Sequence, residues 1–330
     1  MSGPHSQLSV SVWRGARAAI GKIFDNRFIR PIKRSMIRFV TVRKRPRAIL
    51  NSFYNLLNDG GKFRFYLRYA KIFRDRDGVR LTPGEWTVRF IDRRIRMPLR
   101  SSSSLWLDWD CAVSIIGHEM EIKQTYARLI NSSERPALFL DVSANYGTHS
   151  ALFLASGIAT IAFEPNPGCF AYFRSVCELN GLNGRWEAVA IGNRGGEIEL
   201  IYPEKETWLG SVASSAAAAM TASRSVIKQR VPMKRLDNFI GDMPRGKILV
   251  KIDVEGFEYE VIEGASQLIR DFRPTIIFES NTADKRSELF RLLSDHGCAL
   301  RLLPWQPTSP VLSLDEFLTS AGTNFIAVAG

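Results

Sequence analysis

Cysteine is scarce in this chain: Cys111, Cys169, Cys177 and Cys298 are the only four in 330 residues, with no C-x-x-C pair and no clustered histidines. That excludes a disulfide framework and a Cys/His zinc site, and it suits a reducing cytosol. No apolar run approaches the roughly 20 residues needed to span a bilayer. The start also lacks the apolar core and small-residue cleavage site of a secretory signal. There is no internal repeat. No G-x-G-x-x-G turn follows any apolar run, which argues against a dinucleotide dehydrogenase. Acids are nearly missing from the first 100 residues, which hold 24 Lys+Arg against 6 Asp+Glu. The remainder then holds 21 and 27, so a balance of +18 precedes one of −6 within the net charge of +12. Basicity belongs to the first third of the chain, and a slightly acidic body follows.

What the chain does contain is one highly ordered stretch, Leu138 to Pro167, reading LFLDVSANYGTHSALFLASGIATIAFEPNP. A short apolar run ends in Asp141, and a tight turn occupies Ser143 to Gly147. Apolar residues at Ala151, Leu152, Leu154 and Ala155 then make a helical face that stops at Gly157. A second apolar run, Ile158 to Phe163, ends in Glu164. Strand, turn, helix, strand is the opening of a parallel α/β sheet, in which ligands sit beyond the carboxyl ends of the strands. An acid after the second strand can accept hydrogen bonds from both hydroxyls of a ribose, so a nucleoside-containing cofactor is expected.

Three regions follow from composition and periodicity: a basic arm over 1–60, a small mixed lead-in over 61–134, and the α/β domain over 135–330. In the arm, Val10, Val12, Trp13, Ala16, Ile20, Ile23 and Phe24 share a helical face edged by basic residues. This suits an amphipathic helix on an anionic membrane surface, so a peripheral membrane location joins the cytoplasmic one. A solvated arm packed on its own domain has the same composition. Nothing resembling a recognition helix or zinc finger supports nucleic acid as the partner. In the lead-in, Phe63–Arg68, Thr87–Ile91 and Ile95–Leu99 alternate like short strands. Ser101 to Ser104 read as a hinge, and a helical pattern interrupted at Gly117 runs from about Asp108 to Leu129.

The α/β domain alternates regularly. Asn166 and Pro167 form the N-cap and first position of a helix ending at Asn180-Gly181. Strands are expected at Trp186–Ile191, Glu197–Tyr202, Lys247–Ile252, Thr275–Phe278, Cys298–Leu303 and Asn324–Val328, the last two joined without a clear helix. Short helices are expected at Leu236–Ile240 and from Asp253 to Gly264, and a clean amphipathic helix at Asp284–His296. Residues 203–230, around Trp208, form a long connection expected to act as a substrate lid.

The turn Asp141-x-Ser143-x-Asn145-x-Gly147 resembles the D-x-G-x-N-x-G turn of seven-stranded, Rossmann-like S-adenosylmethionine-dependent methyltransferases. Phe163-Glu164-Pro165-Asn166-Pro167, Lys251-Ile252-Asp253-Val254-Glu255-Gly256-Phe257-Glu258 and Pro274-Thr275-Ile276-Ile277-Phe278-Glu279, in this order, are similar to the FkbM family of methyltransferases. Gly117-His118-Glu119-Met120-Glu121 extends the similarity upstream, so it spans roughly Gly117 to Val328. The resemblance implies O-methylation by S-adenosyl-L-methionine of a small-molecule or glycan acceptor, a sugar or secondary-metabolite hydroxyl. It implies that Asp141, Ser143, Asn145 and Gly147 line the methionine end of the cofactor. Glu164, with Pro165 and Asn166, would hold its ribose. Ser143 stands where the family usually has glycine, which costs about 1–2 kcal/mol if the turn needs positive φ.

Asp253 and Glu279, at neighbouring strand ends, are the expected catalytic carboxylates. Asp253 would be the general base, Glu279 would face the acceptor, and His149 is the next candidate base. No metal is expected. Two rival functions remain. One is a nucleic-acid methyltransferase, although the N/D-P-P-Y turn of base amino-methylation is replaced by Asp253-Val254-Glu255-Gly256. The other is a non-catalytic membrane- or protein-binding relative.

Overall fold

The computed structural model describes residues 29–74, 79–100, 105–203, 210, 212, 225–281 and 285–329. The apolar face at 10–24, the hinge at 101–104 and the Trp208 segment lie outside the described residues. Three helices lead: α1 (Ile29–Thr41), α2 (Lys44–Leu56) and α3 (Asp59–Tyr69), followed by a 3-10 turn at Ala70–Phe73. A hairpin comes next, β1 (Gly84–Phe90) and β2 (Arg93–Leu99), paired antiparallel with Gly84 opposite Leu99. Helices α4 (Leu105–Gly117) and α5 (Met120–Ile130) lead into the main sheet.

Phe63–Arg68, expected as a strand, is helix. Asn58 caps α3 by accepting the Gly61 N–H at 2.9 Å, and Phe65 faces inward between exposed Arg64 and Leu67. In Phe-Arg-Phe-Tyr-Leu-Arg the short alternation fits a strand as well as a helix. The aromatic cluster decides, because one buried ring per turn is what it accepts. Phe65 lies 5.1 Å from Tyr54 and 6.1 Å from Trp86 and Trp109, centroid to centroid.

The sheet domain holds β3 (Leu138–Val142), α6 (Thr148–Ala155), β4 (Ala159–Phe163), α7 (Pro167–Asn180), β5 (Arg185–Glu187), β6 (Ala190–Ile191), β7 (Gly196–Pro203) and β8 (Val226–Lys234). A second 3-10 segment at Leu236–Asp242 precedes β9 (Ile248–Ile252), α8 (Glu258–Glu263), α9 (Ser266–Phe272), β10 (Thr275–Glu279), α10 (Arg286–Asp295), β11 (Cys298–Leu302), α11 (Leu314–Thr319) and β12 (Asn324–Ala329).

Seven strands form one sheet in the order β11-β12-β10-β9-β3-β4-β5, with β12 antiparallel to both neighbours and the rest parallel. The expected Rossmann-like sheet is therefore present. Its two faces separate by the period of two. Phe139, Leu249 and Ile277 turn to one core with α4, α5 and α6, while Leu138, Leu140, Val250 and Ile276 turn to another with α8, α9 and α10. The first of these cores is continuous with Tyr54, Trp86 and Trp109, so the leading helices and hairpin share buried surface with the sheet.

Three details differ from the sequence reading. Trp186–Ile191 splits between β5 in the large sheet and β6 in a separate three-stranded sheet, β6-β8-β7. The end of the supposed lid, Val226–Lys234, is strand β8 paired antiparallel to β7. A short helix does join the last two strands: α11 is set by a capping box in which Ser313 and Glu316 satisfy each other's backbone N–H groups. All four cysteines are free and buried.

Candidate active site

The turn after β3 is built on unusual backbone. Ser143, Asn145 and Gly147 have φ of 61°, 51° and 70°, so the Asn in a glycine-like place and the Ser in place of glycine both take the left-handed conformation. Asp141, fully buried, anchors the helix beyond the turn. Its Oδ2 accepts the Ser150 N–H at 3.0 Å and the Ser150 hydroxyl at 2.6 Å, in the first turn of α6. Burial raises the Asp141 carboxyl, opposed by Lys251 and the Ser150 hydrogen bonds. Gly147 is needed for packing: a Cβ there would run into the Phe173 ring of α7.

Glu164 sits beneath this turn, only 6% exposed. Its Oε2 accepts the Asn145 N–H and its Oε1 the Asn166 N–H, both at 2.8 Å, so one carboxylate ties the ends of β3 and β4 together. Burial, against those two hydrogen bonds, pushes the Glu164 carboxyl up to about 7. Each oxygen keeps a free lone pair. Asn166 caps α7 through its Oδ1, which accepts the Gly168 N–H at 3.0 Å.

A cavity of about 370 Å³ opens beyond the ends of β3, β9 and β10. Its floor holds Ser143, Asn145, His149, Lys251, Asp253, Glu255 and Glu279, and its roof includes Trp106, Asp110 and Ser114, one i, i+4, i+8 face of α4. The α4 helix is fixed by Arg100, whose guanidinium and backbone N–H both donate to the buried Asp108, each as close as 2.7 Å. Six described non-glycine residues have positive φ, and four of them, Glu119, Ser143, Asn145 and Glu255, line this cavity. Backbone strain of this kind clusters at functional sites, which makes this cavity the candidate.

The floor is a graded set of charges. Asp253, Glu255 and Glu279 each offer a carboxylate oxygen within 4.8 Å of the others. The Lys251 ammonium lies 2.8 Å from Asp253 Oδ2. Burial alone would raise Asp253, but Lys251 and a hydrogen bond from Glu279 hold it below the usual range. Burial and the neighbouring Asp253 charge push Glu279 up to about 9, and Glu255 up to about 7. Burial would lower Lys251, but Asp253, Glu119 and Asp141 outweigh it and keep the ammonium charged.

His149 is committed elsewhere. Burial, with Lys123 and Lys251 nearby, drops it to about 3, so it is neutral. Its Nε2 lies 3.3 Å from Glu119 Oε2, and its Nδ1 3.0 Å from the Tyr126 hydroxyl. The tautomer that satisfies both donates from Nε2 to Glu119 and accepts from Tyr126 at Nδ1.

The structure thus brings together Ser143, Asn145, His149, Asp253 and Glu279 in one cavity. Asp141, Gly147, Glu164, Pro165 and Asn166 are not among the residues that line it. Two sequence roles change. His149 has both nitrogens engaged and too low a basicity to serve as the base. Asp253, tied to Lys251, is held below the usual carboxylate range and is the weaker base, whereas Glu255 beside it is pushed up to about 7, as is Glu164 beneath the turn. Lys251 and Glu119 were visible in the quoted motifs, but nothing local marked them as partners of Asp253 and His149.

The model of the methyltransferase FkbM domain matches residues 141–300, which bears out the family resemblance over that stretch. Among curated proteins, Methyltransferase 1 of Beauveria bassiana is 26% identical over 133 residues, 36% of this chain and 53% of that protein. The chain therefore spans about half the length of this relative. Among solved structures, a methyltransferase FkbM from Methylobacillus flagellatus aligns at a TM-score of 0.39 and 13% identity, over 69% of this chain and 56% of that one. An O-methyltransferase from a trans-AT PKS multienzyme of Brevibacillus brevis, in complex with S-adenosyl-L-homocysteine, aligns at 0.32 and 14%, over 57% and 55%.

Proposed function

We propose that the chain is an S-adenosylmethionine-dependent methyltransferase that methylates a hydroxyl of a sugar, glycan or secondary metabolite. The observation that carries this reading is the carboxylate floor, set on strained backbone beyond the sheet's carboxyl edge and next to the Ser143–Gly147 turn. The residues fit the cofactor. Asp141 Oδ1 and Asn166 Nδ2 are buried without a hydrogen-bond partner, and Glu164 keeps a lone pair on each oxygen. Buried polar atoms are rarely left unpaired, so an acceptor, a donor and a two-oxygen carboxylate here suit a zwitterionic nucleoside ligand. Asp141, Ser143 and Asn145 would hold its amino-acid end, and Glu164 its ribose. When bound, S-adenosylmethionine supplies an electrophilic methyl group.

The protein's own residues handle the acceptor. Asp253, ionised across the working range, accepts the hydrogen bond of the acceptor hydroxyl and aims its oxygen; positioning of this kind supplies much of the acceleration. Glu279 keeps its proton and donates it to Asp253, which holds that carboxylate in place. The single proton that the hydroxyl gives up passes through Asp253 to Glu255, which is pushed up to about 7 and has a carboxylate oxygen within 4.8 Å of Asp253, as the acceptor oxygen takes the methyl group.

The test joins calorimetry with S-adenosylmethionine to a methyl-transfer screen over sugars, glycolipids and RNA. Turnover on the acceptor so found should rise with pH through about 7 as Glu255 ionises, then fall through about 9 as Glu279 loses its proton. Glu255→Gln should weaken the acidic limb of the profile at saturating S-adenosylmethionine, leaving only the part that Glu164 contributes. Absence of cofactor binding sinks the whole reading, and transfer to RNA alone replaces the hydroxyl acceptor with nucleic acid.

A further inference from the structure

The first two helices present what a membrane surface takes up. On α1, Ile32, Met36 and Phe39 recur at i, i+4, i+7 and are 61%, 60% and 59% exposed. On α2, Ile49, Phe53 and Leu56 repeat the same spacing at 61%, 63% and 81%. These positions face outward for a structural reason. Arg47, Asn51 and Tyr54, each two residues earlier and about 200° away around the helix, form the buried face of α2. Asn51 is locked to β1, its Nδ2 donating to the Thr87 carbonyl at 2.7 Å and its Oδ1 accepting the Thr87 N–H at 2.8 Å. Tyr54 packs 5.1 Å from Trp86. The apolar stripe on α2 therefore cannot turn inward without breaking the hairpin contact.

The charge around the stripes is of one sign. Residues 29–68 contain Asp59 as their sole acid, among basic residues that include exposed Arg34, Lys44 and Arg45. Arg43 stacks its guanidinium 3.4 Å from the Phe39 ring centre. A second copy of the chain docked here would set like charge against like charge, which opposes self-association. Phosphates of a nucleic acid would satisfy the cations but leave Ile32, Met36, Ile49 and Leu56 against water. A bilayer with anionic headgroups satisfies both at once: the stripes enter the acyl boundary and the cations meet the headgroups.

We propose that α1 and α2 form the docking surface for an anionic phospholipid membrane, holding the protein on the face of the bilayer. Among the described residues no helix is long and apolar enough to cross a membrane.

The test is co-sedimentation of the full chain with vesicles of phosphatidylcholine, with and without phosphatidylserine, over a salt series. The chain should sediment with the anionic vesicles, and binding should fall steeply as salt passes physiological strength. Phe53→Ser combined with Leu56→Ser, and separately Lys44→Glu combined with Arg45→Glu, should each weaken partitioning by about tenfold or more. Thermal unfolding should stay unchanged in both, because all four side chains are exposed. Equal sedimentation with neutral and anionic vesicles, none with either, or unaffected variants would overturn the proposal. So would RNA binding abolished only by the charge reversals, or ultracentrifugation showing a dimer that Phe53→Ser with Leu56→Ser dissociates while vesicles go unbound.

Discussion

The floor and the roof of the active-site cavity are made of different material. The floor comes from strand ends, Ser143–Asn145, Lys251–Glu255 and Glu279, and carries a lysine, three carboxylates and three residues at positive φ. The roof, on α4, offers Trp106, Asp110 and Ser114 from one face of a regular helix. Strand register fixes the floor: Val142 pairs with Ile252, and Ile252 with Phe278, so the residues that follow them emerge side by side. The roof is fixed by how α4 docks, through Arg100 on Asp108, the Trp109 indole donating to the Tyr69 carbonyl, and the buried Ala112, Val113 and Ile116. A wall held by a hydrogen-bonded ladder can keep charges at set distances. A wall held by a docked helix can change its side chains freely, which suits it to select the acceptor.

Asp253→Asn should break the floor most severely. Losing the anion that aims the acceptor, and leaving Lys251 without its partner, should lower kcat by ~100-fold or more while cofactor affinity in calorimetry changes little. A proportionate loss of cofactor binding would move Asp253 to the cofactor site. A roof substitution should behave differently. Trp106→Ala should raise the acceptor KM by roughly tenfold and leave kcat within about twofold, the signature of lost uniform binding. A kcat effect equal to that of Asp253→Asn would erase the distinction between the walls.

The smallest effect belongs to Ser143→Gly. Relief of a left-handed serine gains about 1–2 kcal/mol and the glycine's extra chain entropy takes back about 0.5–1. Unfolding should thus occur at an equal or slightly higher temperature, with cofactor affinity equal or tighter. Weaker binding would show that the Ser143 hydroxyl itself contacts the ligand.

The sheet domain was readable because its signals are local. Asp141, Glu164, Asp253 and Glu279 each close an apolar run, and a residue at the carboxyl end of a parallel strand is already placed near the site. Asn166-Pro167 and Asn180-Gly181 bracket α7 through capping chemistry that involves neighbouring residues alone. The leading region gave weaker signals. Phe63–Arg68 alternates and winds equally well, and only the contacts of Phe65 with Tyr54, Trp86 and Trp109 choose the helix. Strand β8 was hidden because its partner β7 lies across a long connection, and Lys228 or Gln229 do not announce a strand by themselves.

The sequence alone determined the order of the sheet's elements, the left-handed turn, the acid at each strand end and the resemblance that those motifs carry, since all of these are written in residues close along the chain. Only the tertiary structure decided which acid keeps a proton, which is a fixed anion and which titrates near neutrality. Those properties depend on burial and on Lys251, Asp253, Glu255 and Glu279 meeting across two strands. The same holds for His149, a candidate base in sequence, which burial beside Lys123 and Lys251 keeps neutral while Glu119 and Tyr126 engage its two nitrogens. Coulomb energy and desolvation act through space, so acidity is set by neighbours that only folding assembles.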